Sequence, residues 1–301
     1  MIERVSVTQA ARAFAICRIV VFTLLGLDVW GMGDPARIAA LPREWYVALG
    51  PFRWLPDSLH ALVFEPSLLR GLRWSALGLA GAAVAGVRPY PCFAAAFCAV
   101  YLLLRALASG FGGFIGHGWL AMTFCSWVLA AFPAAAALSL GRSQRLTRRV
   151  ELYTAPIVAM GALFCTSYFL LGVRRFARGG LEIFVNDALP TYIGLASLKD
   201  GAHAGFEYGL LVLTSPLAAS AMKAGYFVVT LMEVLAPLCV FSSPFRWLWI
   251  AVMIPFHLLT LVTMNIFFDN NIVLMLLLLT PLPFWIGAKL ARAQDPRRGV
   301  L

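Results

Sequence analysis

The sequence predicts an all-α integral membrane protein, a helical bundle that crosses the bilayer about eight times. Of its 301 residues, 61% are hydrophobic and only 13% are charged, whereas soluble domains carry about 25% charged residues. Apolar runs of roughly 20 residues, the length that spans a bilayer, recur along the chain. The sequence contains no internal repeat, and no low-complexity linker divides it. We therefore expect a single membrane domain over residues 1–301.

The apolar runs define the predicted helices in chain order. They cover residues 11–30, 68–87, 90–108, 114–138, 155–173, 217–241, 245–267 and 272–288. No small-residue cleavage site follows the first run, so we expect a retained helix and not a signal peptide. Two long connections, at about residues 31–67 and 174–216, separate these helices.

Lysine and arginine counts predict the orientation. With an even number of spans both termini share one side, and cytoplasmic loops carry the excess of basic residues. The terminal side holds Arg4, Arg88, Arg142, Arg145, Arg148, Arg149, Arg246, Lys289, Arg292, Arg297 and Arg298. We therefore expect an inner (cytoplasmic) membrane protein with both termini in the cytoplasm and the two long connections facing outward. These loops account for the net charge of +10, and no nucleic-acid partner is expected because no basic run is interleaved with stacking aromatics.

Several charges lie inside the first and third predicted helices, where each costs roughly 2.5–3.5 kcal/mol on insertion scales. Arg18 and Asp28 are ten residues apart, about 15 Å along a helix, which is too far for a direct pair. Each therefore needs a partner elsewhere, although Arg18 has the alternative of snorkelling to the cytoplasmic face. We expect Arg105, near the end of the third helix, to snorkel.

The C-terminal helices hold the strongest polar constellation. Glu233 lies mid-helix four residues before Pro237, His257 lies deep in the next helix, and Asn265 follows eight residues later. These side chains predict a buried hydrogen-bond network that is either a structural clasp or a functional pocket. His117 begins the fourth helix among glycines, where both a structural role and close approach of a ligand stay open.

Catalytic and metal templates are absent from the sequence. It contains no G-x-S-x-G, H-E-x-x-H, P-loop or G-x-G-x-x-G motif. The four histidines lack metal-ligand spacing, so no metal site is predicted. The six cysteines form no CxxC pair and are expected to be small buried hydrophobes.

In order and spacing, these motifs resemble the HTTM family, the membrane domain shared with vitamin K-dependent gamma-carboxylase. The last helices carry Glu233, Pro237, Arg246, His257 and Asn265; "GHGWL" (116–120) is similar to the histidine-bearing fourth helix. Arg18 with Asp28 resembles the family's first helix. "YFLLGVRRFARGG" (168–180) resembles the segment Y-x-x-x-G-x-x-K, with Arg175 at the position of the lysine.

The resemblance implies an isoprenoid (hydro)quinone as cofactor, with the family's lysine acting as its base. Arginine stays protonated in proteins and cannot be that base, so Arg175 argues against carboxylation. An arginine instead holds an anion or hydrogen-bonds a quinone oxygen.

These observations give three functional hypotheses. The first is a quinone- or lipid-dependent, carboxylase-like membrane enzyme with an outward cavity. In it, His257 is the acid/base or quinone ligand, Glu233 orients His257 and Arg175 stabilises negative charge. His117 joins this catalytic set, and Arg174, Arg18 and Asn265 are candidate cofactor-binding residues. The second hypothesis is a non-catalytic scaffold that binds lipid or a protein partner. The third hypothesis is a small-solute transporter. The sequence lacks the internal repeat that many transporters contain, which counts against it.

Overall fold

The computed structural model describes residues 5–49, 53–54, 56, 61–111, 117–140, 146, 148–198, 208–264, 266 and 268–294, with backbone only for 117–118 and 291–294. Across these residues the regular elements are helical and no strand occurs, which confirms the all-α prediction. The helices are α1 (Val7–Gly31), α2 (Ala36–Ala39), α3 (Pro66–Ala85), α4 (Tyr90–Gly110), α5 (His117–Ala131), α6 (Glu151–Gly179), α7 (Ala188–Ser197), α8 (Gly209–Thr214), α9 (Pro216–Val234), α10 (Leu238–Phe241), α11 (Ser243–Met264), α12 (Asp269–Leu279) and α13 (Leu282–Gln294).

Helices occupy all eight predicted regions. Within the described residues, α1, α4, α6, α9 and α11 are each long and apolar enough to cross a membrane, which makes five candidate spans. Helices α12 and α13 meet at a bend of 70° and give a sixth if they form one broken span. Helix α3 carries two arginines in its first half, and α5 has only 15 residues. The chain is therefore a polytopic membrane protein.

Prolines explain where predicted helices end early. Helix α5 ends at Ala131, before Pro133, and not at residue 138. Helix α9 ends at Val234, and the chain turns before α10 because Pro237 lacks the N–H that would continue the helix. The predicted last helix is split into α12 and α13 at Pro281.

Helix α6 runs farther than the sequence predicted. It was expected to end at residue 173, but it continues to Gly179. Arg174 and Arg175 therefore lie on the helix itself and not in the following connection. The two predicted connections are also partly helical, since they contain α2, α7 and α8.

Local signals fix several helix ends. At the start of α1, the backbone N–H of Gln9 donates to the Ser6 hydroxyl (3.2 Å), and the Ser6 N–H donates to the Gln9 side chain (3.0 Å). This reciprocal capping box satisfies N–H groups that have no partner within the helix. Helix α3 begins with Pro66 and is followed by Gly86 in the left-handed conformation, φ 67°.

Contacts divide the chain into two compact units. The first comprises Met1–Met160 and Thr280–Leu301, and the second comprises Gly161–Leu279. In the first unit α1 packs against α3, α5 and α13, and α4 packs against α3 and α5. In the second, α11 packs against α7, α9, α10 and α12, and α8 packs against α7 and α9. The division falls within α6, whose residues after Met160 belong to the second unit.

The mid-helix charges of the first unit find internal partners. Arg105 Nε donates to Asp28 Oδ2 at 2.6 Å, the Tyr101 hydroxyl donates to the same oxygen at 2.9 Å, and a second arginine nitrogen pairs with Asp28 Oδ1. The prediction that Arg105 snorkels is therefore wrong. Its guanidinium is largely buried because it neutralises Asp28, whose carboxylate would be costly to bury without a counter-charge.

Arg18 is fully buried and is held by the segment that follows α5. Its guanidinium donates to the carbonyls of Ala134 (3.3 Å) and Leu138 (2.5 Å) and to the Ser139 hydroxyl (2.9 Å). Snorkelling does not describe this arginine. Backbone carbonyls of the non-helical segment after α5 accept its N–H groups, so one guanidinium satisfies several acceptors.

A substitution at Gly86 tests this packing. A Cβ there would collide with Arg18 Nη1 and Ser139 Oγ, and the residue has φ 67°. We expect Gly86→Ala to lower the free energy of unfolding by about 1–3 kcal/mol, because it adds backbone strain and displaces the Arg18 contacts. The measurement is thermal denaturation of the purified protein in detergent. Gly81→Ala in α3 is the control, since a Cβ there meets nothing within 4 Å. Equal melting temperatures for the two variants would contradict the prediction.

Candidate functional site

One face of α6 supplies the centre of the candidate site in the second unit. Phe164, Tyr168, Gly172 and Arg175 follow one another at intervals of four, four and three residues, which places them on the same side of a helix. Tyr168 and Arg175 are therefore separated by about 10.5 Å along the axis. The C-terminal half of this α6 face contacts the end of α9, and Tyr168 on the same face contacts α11.

Gly172 brings α6 close to the end of α9. A Cβ at this position would lie 2.9 Å from the backbone nitrogen of Val234 and 3.0 Å from Glu233 Cβ. A larger residue would push the helices apart, so the glycine permits an approach that no other residue type allows. Glu233 is thereby brought within reach of Arg175, one turn farther along α6.

Arg175 and Glu233 form an ion pair. Arg175 Nη1 donates to Glu233 Oε2 at 2.7 Å, and the side-chain exposures are 17% and 1%. The guanidinium carbon also lies 4.8 Å from the centre of the Tyr226 ring, a cation–π contact. The negative charge of Glu233 is therefore compensated inside the protein, and the arginine is fixed by both a carboxylate and an aromatic face.

Tyr168 and His257 form a second buried polar pair. The tyrosine hydroxyl lies 2.8 Å from His257 Nε2, and the two residues are 4% and 3% exposed. The hydroxyl donates when Nε2 is unprotonated and accepts when Nε2 carries the proton. The buried side chain of Asn271 interacts with the same tyrosine. A proton can pass between phenol and imidazole without any movement of the helices.

Aromatic rings enclose the tyrosine–histidine pair. The Trp249 ring lies 5.1 Å from the Tyr168 ring and nearly perpendicular to it, and Phe164 and Phe268 lie 5.1 Å from Tyr168 and His257, respectively. The indole N–H of Trp249 donates to the Met232 carbonyl at 2.9 Å. The pair therefore lies in apolar surroundings from which these rings exclude water.

The structure places the residues predicted for the site in different environments. The partner of Glu233 is Arg175, and that of His257 is Tyr168. Arg174, next to Arg175, is exposed. Arg18 belongs to the first unit, where carbonyls hold it.

Two predicted residues lie wholly or partly outside the described residues. Asn265 is one of them. His117 begins α5 in the first unit, but its side chain is not among the described ones. Within the described part of the chain, no cluster of three or more histidine, cysteine, aspartate or glutamate side chains suits a metal ion.

The aromatic residues around the predicted polar groups were given no role from the sequence, although Tyr168 begins the segment at 168–180. Tyr168 precedes Arg175 by seven residues, Tyr226 precedes Glu233 by seven, and Trp249 precedes His257 by eight. Each spacing is close to two helical turns, so each aromatic residue lies on the same face as its polar counterpart. This recurring spacing was the signal in the sequence that could have identified them.

Comparison with family models, characterised proteins and solved structures finds no match to this chain. The resemblance to the HTTM family therefore stays a prediction from the sequence motifs.

The Arg175–Glu233 pair predicts an asymmetric mutational response. Arg175→Gln leaves Glu233 buried without its counter-charge, so we expect a loss of about 3–5 kcal/mol in unfolding free energy. The double variant Arg175→Gln/Glu233→Gln removes both charges and should recover more than half of that loss. Thermal denaturation in detergent measures both effects.

Arg174→Gln is the matched control for this pair. The neighbouring arginine is exposed, so its loss should change stability by less than about 0.5 kcal/mol. Additive effects of the Arg175 and Glu233 substitutions would show that the two side chains do not interact.

Proposed function

We propose that the protein is a quinone- or lipid-dependent integral membrane enzyme, in which Tyr168 and His257 exchange protons with an isoprenoid (hydro)quinone. The observation that carries this proposal is the 2.8 Å contact between the Tyr168 hydroxyl and His257 Nε2 in buried, aromatic surroundings. Histidine is the side chain best suited to give and take a proton near neutral pH. The aromatic residues around the pair, with the Tyr168 hydroxyl and the His257 imidazole as the polar groups, also suit a quinone ring, which is apolar except for its oxygen atoms.

The chain's own residues have separate roles in this proposal. An isoprenoid hydroquinone would bring a removable hydroxyl proton and a pair of electrons. His257 accepts the proton at Nε2, with the Tyr168 hydroxyl relaying it, and Arg175 stabilises the negative charge that proton removal creates. Glu233 holds the guanidinium in place against Tyr226.

The proposal does not extend to carboxylation. A base that removes the cofactor proton must be unprotonated beforehand, a state that lysine can reach when buried. Arginine stays protonated in proteins, and Arg175 is engaged by Glu233. His257 is therefore the base in this proposal.

A non-catalytic scaffold is the second candidate. The observation in its favour is that the main polar groups of the cluster are satisfied by other parts of the chain: Arg175 by Glu233, and the Trp249 N–H by the Met232 carbonyl. Such a network joins α6, α9 and α11 and would serve as a structural clasp with no ligand. In that case lipid or a protein partner would bind the outer surface of the helices.

Small molecules that copurify with the detergent-solubilised protein distinguish the two candidates. We expect the wild type to retain a stoichiometric isoprenoid quinone, identified by mass spectrometry. Tyr168→Phe keeps the ring but removes the hydroxyl, so it should bind the quinone about three- to tenfold more weakly. Tyr192→Phe is the control, because Tyr192 is 54% exposed in the same unit. If the wild type carries only bulk phospholipid, the enzyme proposal fails and the scaffold is favoured.

The orientation is also a proposal. We infer that both termini lie in the cytoplasm of a cell with an inner (cytoplasmic) membrane, supported by the excess of arginine in the loops on that side. With the bent pair taken as one span the count is six, an even number that is compatible with both termini on one side, whereas the five unbroken spans alone are an odd number.

Reporter fusions measure this orientation. We expect a fluorescent protein fused after Leu301 to be fluorescent, and alkaline phosphatase at the same position to be inactive, because phosphatase folds only outside the cytoplasm. A fusion within residues 199–207 should give the opposite pattern. An active phosphatase at Leu301 would reverse the assignment.

A further inference from the structure

A basic and aromatic patch lies where α1 ends and α3 begins, within the first unit. We call it the Arg–Trp patch. It consists of Trp30, Asp34, Arg37, Arg70, Arg73 and Trp74. Three positive charges face one negative charge, and the two indoles are 58% and 59% exposed. None of these residues belongs to the candidate site in the second unit.

Arg73 forms the fixed centre of the Arg–Trp patch. Its guanidinium carbon lies 5.5 Å from the Trp30 ring and 5.6 Å from the Trp74 ring. Its Nη2 donates to the Trp30 carbonyl at 2.9 Å, and its Nε donates to the Val29 carbonyl at 3.4 Å. These carbonyls belong to the last turn of α1, the negative end of the helix dipole. Arg73 therefore holds the two indole rings in place at the C-terminal end of α1.

Arg70 and Arg37 supply the accessible charge. Arg70 Nε lies 3.3 Å from Asp34 Oδ2, and the side chains of this pair are 58% and 41% exposed. Ala36 N–H donates to the other carboxylate oxygen at 3.0 Å. This backbone bond, with Arg70 and Arg37, lowers the pKa of Asp34 below its usual value, so the carboxylate is ionised at neutral pH. Arg37 is exposed, and one carboxylate leaves a net charge of +2 on the patch.

Another acidic residue, Glu65, immediately precedes α3. Glu65 precedes Arg70 by five residues, about 7.5 Å along the axis, and accepts a bond from Ser67 Oγ at 3.3 Å. Among the described residues, no ion pair joins it to either of the two exposed arginines, and Arg70 pairs with Asp34 instead.

Tryptophan and arginine at the end of a membrane-spanning helix are typical of the headgroup layer, where an indole ring meets the polar boundary. The chemical group found at that depth with negative charge is the lipid phosphodiester. Guanidinium groups bind phosphate through paired N–H donors. An exposed ion pair such as Arg70–Asp34 contributes little to stability, so a phosphate can replace the carboxylate as partner of Arg70.

We propose that the Arg–Trp patch is a binding site for the headgroup phosphate of an anionic phospholipid. Arg70 and Arg37 contact the phosphate, Trp30 and Trp74 hold the adjoining glycerol and acyl carbons, and Asp34 competes with the lipid for Arg70. Arg73 is a positioning residue that keeps the indoles in place. This site is independent of the proposed enzyme activity, since it belongs to the other unit.

Native mass spectrometry of delipidated protein in detergent tests the site. The protein is titrated with phosphatidylglycerol and, separately, with phosphatidylcholine. We expect the wild type to retain phosphatidylglycerol preferentially. Arg37→Gln and Arg70→Gln should each lower that affinity by about fivefold, since a basic residue near a membrane surface contributes roughly that factor. Phosphatidylcholine has the same phosphate but no net charge, so its retention should fall less.

Asp34→Asn gives a change of the opposite sign. The amide oxygen still accepts the Ala36 bond, but the competing charge is gone, so phosphatidylglycerol affinity should rise by about fivefold. Arg149→Gln is the matched control because Arg149 is an exposed arginine on a different part of the same unit. Equal retention of the two lipids by the wild type would overturn the proposal, as would a lowered affinity in Asp34→Asn or an equal loss in Arg149→Gln.

Discussion

Polar groups removed from water must find partners within the protein, and the rest of this structure depends on that constraint. An unpaired charge or backbone group costs several kcal/mol in hydrocarbon. Arg18 is held by carbonyls after α5, Asp28 by Arg105 and Tyr101, and Glu233 by Arg175. Each pairing joins segments far apart in the sequence, so the contacts that satisfy a buried charge also hold those segments together.

Close helix approach is the second requirement, and glycine provides it. Gly86 makes room for Arg18 and Ser139, and Gly172 makes room for Val234 and the Glu233 side chain. In both places the missing Cβ lies beside a buried charge. A short polar contact between helices needs backbones close enough for one side chain to bridge them, which explains why these glycines accompany the charged groups.

The two polar pairs of the second unit differ in chemistry. Arg175 and Glu233 form an ion pair that joins α6 to α9. Tyr168 and His257 share a contact in which the proton has two acceptable positions. Enclosure by Trp249 and Phe164 strengthens the Tyr168–His257 contact, because electrostatic interactions grow as the local dielectric falls. The proposed function rests on an arginine held in place by Glu233 and Tyr226, and on a proton that can move between Tyr168 and His257.

The sequence by itself determined the all-α membrane class, the eight helical regions and the presence of Glu233 and His257 within apolar helices, because apolar length and mid-helix polarity are local properties. Only the tertiary structure decided the partners. Glu233 was expected to orient His257 but pairs with Arg175, and Arg105 was expected to snorkel but binds Asp28. Several acceptors were available to each charge along the chain, and helix packing alone selects which of them comes within hydrogen-bonding distance.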